Sequence, residues 1–170
     1  MKAHWSQFTK YTDVFKYIQK YKPKLIVEYG GGQSTFYINQ LLDELDYGGR
    51  VVAFESEKEW MNDHIEKGFN RHGSIHLVPI TMQCNIKGHL RYEHSLEGLE
   101  KVDFIILDGP DYKTYPVVGG TPSNLTTNID DLVEIKGEPI PYFIDGRSGC
   151  VNYYRAKYPT EYHIKQLTRE

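Results

Sequence analysis

Apolar residues recur along this chain in two alternating rhythms. Val14, Phe15, Ile18 and Tyr21 fall at helical spacing behind Thr12, a ready N-cap, and Pro23 closes the segment. LIVEYG follows, a short apolar run stopped by three glycines, which predicts a buried strand over residues 25–29. In residues 34–45, Ile38, Leu41, Leu42 and Leu45 stand at i, i+3, i+4 and i+7, the stripe of an amphipathic helix. Tyr47-Gly48-Gly49 turns the chain into RVVAFES, a second buried strand. Ser56, three residues before Glu59, makes a capping box and predicts a helix through Met61, Ile65 and Phe69, broken at Gly73. IHLVPI (75–80) reads as strand three, with a short helix near 95–101. VDFIILDGP gives strand four, with Asp108 at its carboxyl end. The stretch 111–139, rich in Gly, Pro, Thr and Asn, holds one helix around 128–135. PYFIDGR is strand five, ending at Asp145, and a helix over 149–157 and a last strand, EYHIKQLT, complete the pattern.

Strands alternating with helices predict an α/β fold, a Rossmann-like, doubly wound and mainly parallel sheet of order 3-2-1-4-5 plus a last strand. The usual seventh, antiparallel strand has no counterpart in the pattern, and an open sheet edge invites a homo-oligomer. In such sheets ligands bind beyond the carboxyl ends of the strands, where strand order reverses. The polar residues of interest all fall at those ends.

Length and composition narrow the classes. The 170 residues make one domain, with 39% hydrophobic and 25% charged residues as in an ordinary globular protein. A net charge of −3 argues against a dedicated nucleic-acid binder, which needs a basic face; one here would have to build it from residues such as Lys87, Arg91 and Lys113. Cys84 and Cys150 are far apart and form neither a zinc pattern nor a disulfide framework. No apolar run reaches the ~18 residues of a membrane span, and MKAHWSQFTKY lacks a signal-peptide core, so the expected location is the cytoplasm.

Three motifs carry chemistry. Glu28-Tyr29-Gly30-Gly31-Gly32-Gln33-Ser34 runs off strand one into a helix, and its glycines let backbone turn tightly and approach a ligand. The dinucleotide fingerprint Gly-x-Gly-x-x-Gly/Ala fails at Thr35, which weighs against an NAD-dependent oxidoreductase. Glu28, two residues before the first glycine, suits a ligand presenting an ammonium group; the alternative is a tight turn with no ligand. Glu55, followed by Ser56 at the end of strand two, can accept from both hydroxyls of a ribose, or simply support the next helix N-terminus. Asp108 and Asp145 end strands that are neighbours in the expected order, roughly 4.8 Å apart. Such a pair can share a divalent metal or divide the roles of general base and substrate orienter; each Asp-Gly can also be a plain turn. Arg147 can clamp an anion or pair with Asp145. The seven histidines show no metal spacing, and Ser34 and Ser148 lack a nucleophile-elbow pattern. Tyr112, Tyr115, Tyr153 and Tyr154 flank the expected crevice.

From strand one to strand five, about residues 24–147, the chain resembles the class I S-adenosylmethionine-dependent methyltransferase superfamily. Glu28-x-Gly30-x-Gly32 is similar to its first motif, Glu55 stands where its ribose-binding acid does, and Asp108 in FIILDGP is similar to its fourth motif. YGGGQST, Glu59-Trp60, ILDGP and FIDGR together resemble a small branch that includes sugar and glycan O-methyltransferases. The resemblance implies S-adenosylmethionine held by Glu28, Tyr29, Gly30, Gly31, Gly32, Ser34, Glu55, Ser56 and Asp108. It implies methyl transfer to a hydroxyl of a small-molecule or glycan acceptor, with Asp108 and Asp145 catalytic. Both also fall where catechol-type enzymes place carboxylates on a divalent metal. Thr81, Met82 and Gln83 are the nearest candidates for an adenine clamp. The other reading within the same cofactor class is a binder that does not methylate, acting as a sensor, a scaffold or a cofactor-degrading enzyme. An Asn/Asp-Pro-Pro-Tyr/Phe motif for base amino groups is not found.

Overall fold

A computed structural model describes residues 4–66, 74–83, 89–110 and 125–158. Two 3₁₀ turns, Trp5–Gln7 and Thr9–Tyr11, lead into α1 (Thr12–Tyr21). There follow β1 (Leu25–Tyr29), α2 (Gln33–Leu45), β2 (Arg50–Glu55), α3 (Lys58–Glu66), β3 (Ser74–Leu77), β4 (Ile80–Gln83) and β5 (His89–Tyr92). The remainder is β6 (Phe104–Leu107), β7 (Leu125–Thr126), α4 (Asn128–Lys136), β8 (Tyr142–Ile144) and α5 (Ser148–Lys157). The main sheet is wholly parallel in the order β3-β2-β1-β6-β8, the expected 3-2-1-4-5 order counted along this sheet.

Strand alternation sorts the core into two layers. Leu25, Val27, Tyr29, Ile105, Leu107, Tyr142 and Ile144 point to one face and pack with Ile129 and Leu132 of α4 and Cys150, Val151 and Tyr154 of α5. Ile26, Phe104, Ile106 and Phe143 point to the other, under Val14, Phe15 and Ile18 of α1 and Ile38, Leu41 and Leu42 of α2. Period-2 side-chain direction in a sheet buried on both faces accounts for the continuous apolar runs of the sequence. Glu28 shares the face of Ile26, beneath α2, and that placement decides its role below.

Several expectations are corrected. IHLVPI is not one strand: Ser74–Leu77 pairs with β2, and at Ile80 the chain enters a second sheet, order β4-β5-β7, with β4 antiparallel and β7 parallel to β5. The expected helix near 95–101 is only turns; Gly98, at φ +80°, breaks so short a segment. Thr12 begins α1 rather than capping it, and its hydroxyl donates to the Thr9 carbonyl. Likewise α3 starts two residues after Ser56, because the Ser56 and Glu57 amides donate to Glu55 instead of entering a capping box. The strand expected in EYHIKQLT and residues 111–124 of the loop lie outside the described residues.

The second sheet is joined to the rest through Asn128. Its Oδ1 accepts from the Tyr92 amide at 2.8 Å and its Nδ2 donates to the Tyr92 carbonyl at 2.9 Å, with Asn128 only 1% exposed. Asn128→Ala leaves a buried N–H and C=O unpaired and is expected to lower stability by about 2–4 kcal/mol. Chemical denaturation of the two proteins checks this; a change within noise would mean that water or neighbours take over both groups.

Candidate functional site

The carboxyl ends of β1, β2 and β6 open on a pocket of about 430 Å³, within the range of small-molecule sites. Gly30, Gly31, Gly32 and Ser34 form one wall, Glu55, Glu57 and Trp60 another, and Asp108, Gly109, Pro110 and Arg147 a third. Phe8 and Lys10 close it from the amino-terminal segment.

The glycine loop is shaped first by the fold's own crowding. Gly30 has φ +93°, and a Cβ there would stand 2.4 Å from the Gly109 amide nitrogen. A Cβ on Gly31 would reach 2.9 Å from the Ala53 methyl. The Asp108 and Gly109 amides both donate to the Tyr29 carbonyl at 2.8 Å, so the turn after β6 lies against the turn after β1. Gly30 is thus required by close backbone approach and Gly31 by the side chains packed against it, and the approach at Gly30 sets the pocket's floor.

Glu28 is fully buried and lies outside the pocket lining. It accepts from the Ser34 and Thr35 hydroxyls, each at 2.5 Å, while Thr35 Oγ1 also accepts from the Gly32 amide at 2.9 Å. The carboxylate therefore braces the loop from below, and Ser34 serves it while also lining the pocket. Tyr29 is likewise buried, its hydroxyl bonded to His94 on the far face. Burial pushes the Glu28 carboxyl up to about 7 against the pull of the two hydroxyls. A raised acid pKa means that the folded chain holds this proton more tightly than the unfolded chain. Its stabilising contribution is whole below pH 4.5 and is lost as pH rises through about 7. Glu28→Gln is expected to remove that slope, a difference of a few kcal/mol across the window. Denaturation curves at stepped pH give the readout, and parallel curves for the two proteins would contradict it.

Glu55 is 8% exposed and lines the pocket. Its Oε1 accepts from the Ser56 amide at 2.6 Å and the Glu57 amide at 2.9 Å, just ahead of α3, and burial raises its pKa. The carboxylate thus supports the helix entry and faces the pocket at once. Ser56 contributes its amide to Glu55 and is not part of the lining.

Asp108 and Asp145 do converge, as adjacent strands require, and Lys10 joins them. Its ammonium is 3.0 Å from Asp108 Oδ2 and also paired with Asp145 Oδ2. The Tyr11 hydroxyl donates to Asp108 Oδ2 at 2.9 Å. Burial pushes the Asp108 carboxyl upward, Lys10 opposes that, and Asp145 adds to it. For Lys10 burial lowers the pKa, but the two acids outweigh it and the net shift is upward. The position between the carboxylates is held by the protein's own cation, so the pair as placed does not fit a divalent metal. Among the described residues no group of three or more His, Cys, Asp or Glu is arranged to hold a metal ion.

Arg147 does not pair with Asp145. Its Nη2 donates to the Asp108 carbonyl at 2.8 Å. Cys150 is buried on the far side of the sheet, Tyr153 and Tyr154 pack around α5 away from the pocket lining, and Arg91 pairs with Asp131. Tyr112, Tyr115, Lys87, Lys113 and Cys84 lie outside the described residues, as do the side chains of Thr81, Met82 and Gln83.

Sequence reasoning missed Lys10 and Phe8 as parts of the site and gave Trp60 no role there. A signal for the first two was present: Trp5, Phe8 and Tyr11 continue the spacing of Phe15 upstream of α1. Phe8 stacks on Tyr37 of α2 with ring centres 5.0 Å apart, which fixes the segment that carries Lys10. Trp60 is 53% exposed, a large ring standing open on the pocket wall beside Glu55 and Glu57. No protein-family model matches the sequence, and no curated protein matches it. Among the described residues no helix is long and apolar enough to cross a membrane.

Proposed function

We propose that this protein is a methyltransferase of the class I type, binding S-adenosylmethionine in the pocket at the ends of β1, β2 and β6. Its acceptor on this reading is a hydroxyl of a small molecule or saccharide. The observation that carries the reading is the convergence of the glycine loop, Glu55 and Asp108 on one cavity of about 430 Å³ at the switch point of a 3-2-1-4-5 sheet. The residues fit the cofactor's parts. Glu55 offers a carboxylate to the ribose hydroxyls, Trp60 an aromatic face to the base, and the glycine loop a wall free of side chains for the amino-acid portion.

When bound, the cofactor supplies an already activated methyl group, so the protein's task is alignment. Gly30 to Gly32, braced by Glu28, set where the reacting centre lies. Asp108, with its carboxyl held protonatable by burial, takes the acceptor hydroxyl's proton at Oδ1, since Oδ2 already accepts from Tyr11 and Lys10. Lys10 keeps Asp108 and Asp145 together without two bare charges facing each other. Asp145 touches Lys10 and is not in the pocket lining, which makes it a positioning residue.

The test is incubation with S-adenosylmethionine and a panel of hydroxylated acceptors, read by the nucleoside product. S-adenosylhomocysteine supports transfer; methylthioadenosine alone would indicate cofactor breakdown instead. Glu55→Ala is expected to weaken S-adenosylhomocysteine binding about 10–100-fold, the value of hydrogen bonds to a charged group. Calorimetry checks it, and equal affinity would take Glu55 off the ribose.

A further inference from the structure

We propose that Arg147 is an oxyanion-binding residue of this pocket, and that the ligand bound there presents a carboxylate or phosphate to its guanidinium. The inference rests on the pocket itself and holds whichever nucleoside the pocket takes. Arg147 is only 8% exposed, lines the cavity, and spends Nη2 on the Asp108 carbonyl. Its Nε and Nη1 are shielded from solvent and have no hydrogen-bond partner among the described residues. Buried guanidinium donors without acceptors are costly. Nε and Nη1 lie on opposite edges, each shared with Nη2, whose second proton is left to complete one edge against a carboxylate or phosphate in bidentate fashion.

The surroundings agree. Arg147 occupies the N-cap position of α5, a ten-residue helix whose first turn receives no cap from the Arg147 side chain. The leading amides therefore add a favourable field for an anion. A Cβ built on Gly149 would meet nothing within 4 Å, so the first turn is open. Lys10, bound to both Asp108 and Asp145, offsets one of their two charges.

The probe is inorganic phosphate, titrated into the full chain at constant ionic strength against chloride and followed by calorimetry and ³¹P resonance broadening. One saturable site is expected in the unsubstituted protein. Arg147→Gln is expected to weaken it at least about tenfold. Arg147→Lys, which keeps the charge and a donor for Asp108 but loses the fork, is expected to fall between. Absence of saturable binding in the unsubstituted protein overturns the proposal whether or not the variants fold, and so does equal affinity in both variants. Competition identifies the source of the anion. If S-adenosylhomocysteine displaces phosphate and methylthioadenosine does not, the anion is the cofactor's own carboxylate; if phosphate and S-adenosylhomocysteine bind together, it belongs to the acceptor. Should neither nucleoside bind, the methyl-transfer reading falls, while the phosphate titration still decides the role of Arg147.

Discussion

Asp108→Asn is expected to lower turnover by about 10²–10⁴-fold at neutral pH, the usual value of a positioned base, with S-adenosylhomocysteine affinity unchanged. Asparagine is the right replacement because Asp108 Oδ2 accepts from Tyr11, which is fully buried. Alanine would strand that hydroxyl and confound loss of chemistry with loss of fold. The amide keeps an acceptor for Tyr11 and a partner for Lys10 but cannot take a proton. Single-turnover rates measured alongside cofactor titrations separate the two effects. A rate within a few-fold of the unsubstituted protein would remove Asp108 from the mechanism and leave it as a strand-end anchor.

Gly30→Ala carries the largest structural effect. The new methyl would face backbone, not a flexible side chain: the Gly109 nitrogen at 2.4 Å and the Asp108 carbonyl carbon at 2.7 Å, from a residue at φ +93°. Neither turn can yield without breaking the paired bonds from the Asp108 and Gly109 amides to the Tyr29 carbonyl. A positive φ and an overpacked contact each cost about 1–3 kcal/mol, so a loss of roughly 3 kcal/mol or more is expected. In a chain of this size that lowers Tm by about 6–12 °C. Cofactor binding should fail with it, since the same two turns form the pocket floor. Gly149→Ala is the control: with open space in the first turn of a helix it should be neutral or stabilising by up to about 1 kcal/mol. Equal behaviour of the two variants would mean that the turns are not rigidly packed.

The order of the main sheet was legible because each buried strand is a continuous apolar run and each helix that covers it has one apolar stripe. Ile26 and Val27 point to opposite faces, yet both are apolar because both faces are covered. Strand ends were legible too, so Glu55 and Asp108 could be placed on the crevice before any contact was known. What was hidden depends on distances between segments far apart in sequence. Glu28 is an acid before a glycine loop in either role; only its register on the α2 side of β1 turns it toward Ser34 and Thr35. The second sheet was missed because strands of two to four residues carry almost no periodicity of their own. Lys10 was missed because an ion pair across 98 residues leaves no local pattern.

The most direct measurement is a crystal structure of the full chain with S-adenosylhomocysteine. The ribose is expected on Glu55, the amino-acid portion along Gly30 to Gly32, and the sulfur facing Asp108. A nucleoside bound on any other surface, or a pocket left empty at saturating ligand, would contradict this placement.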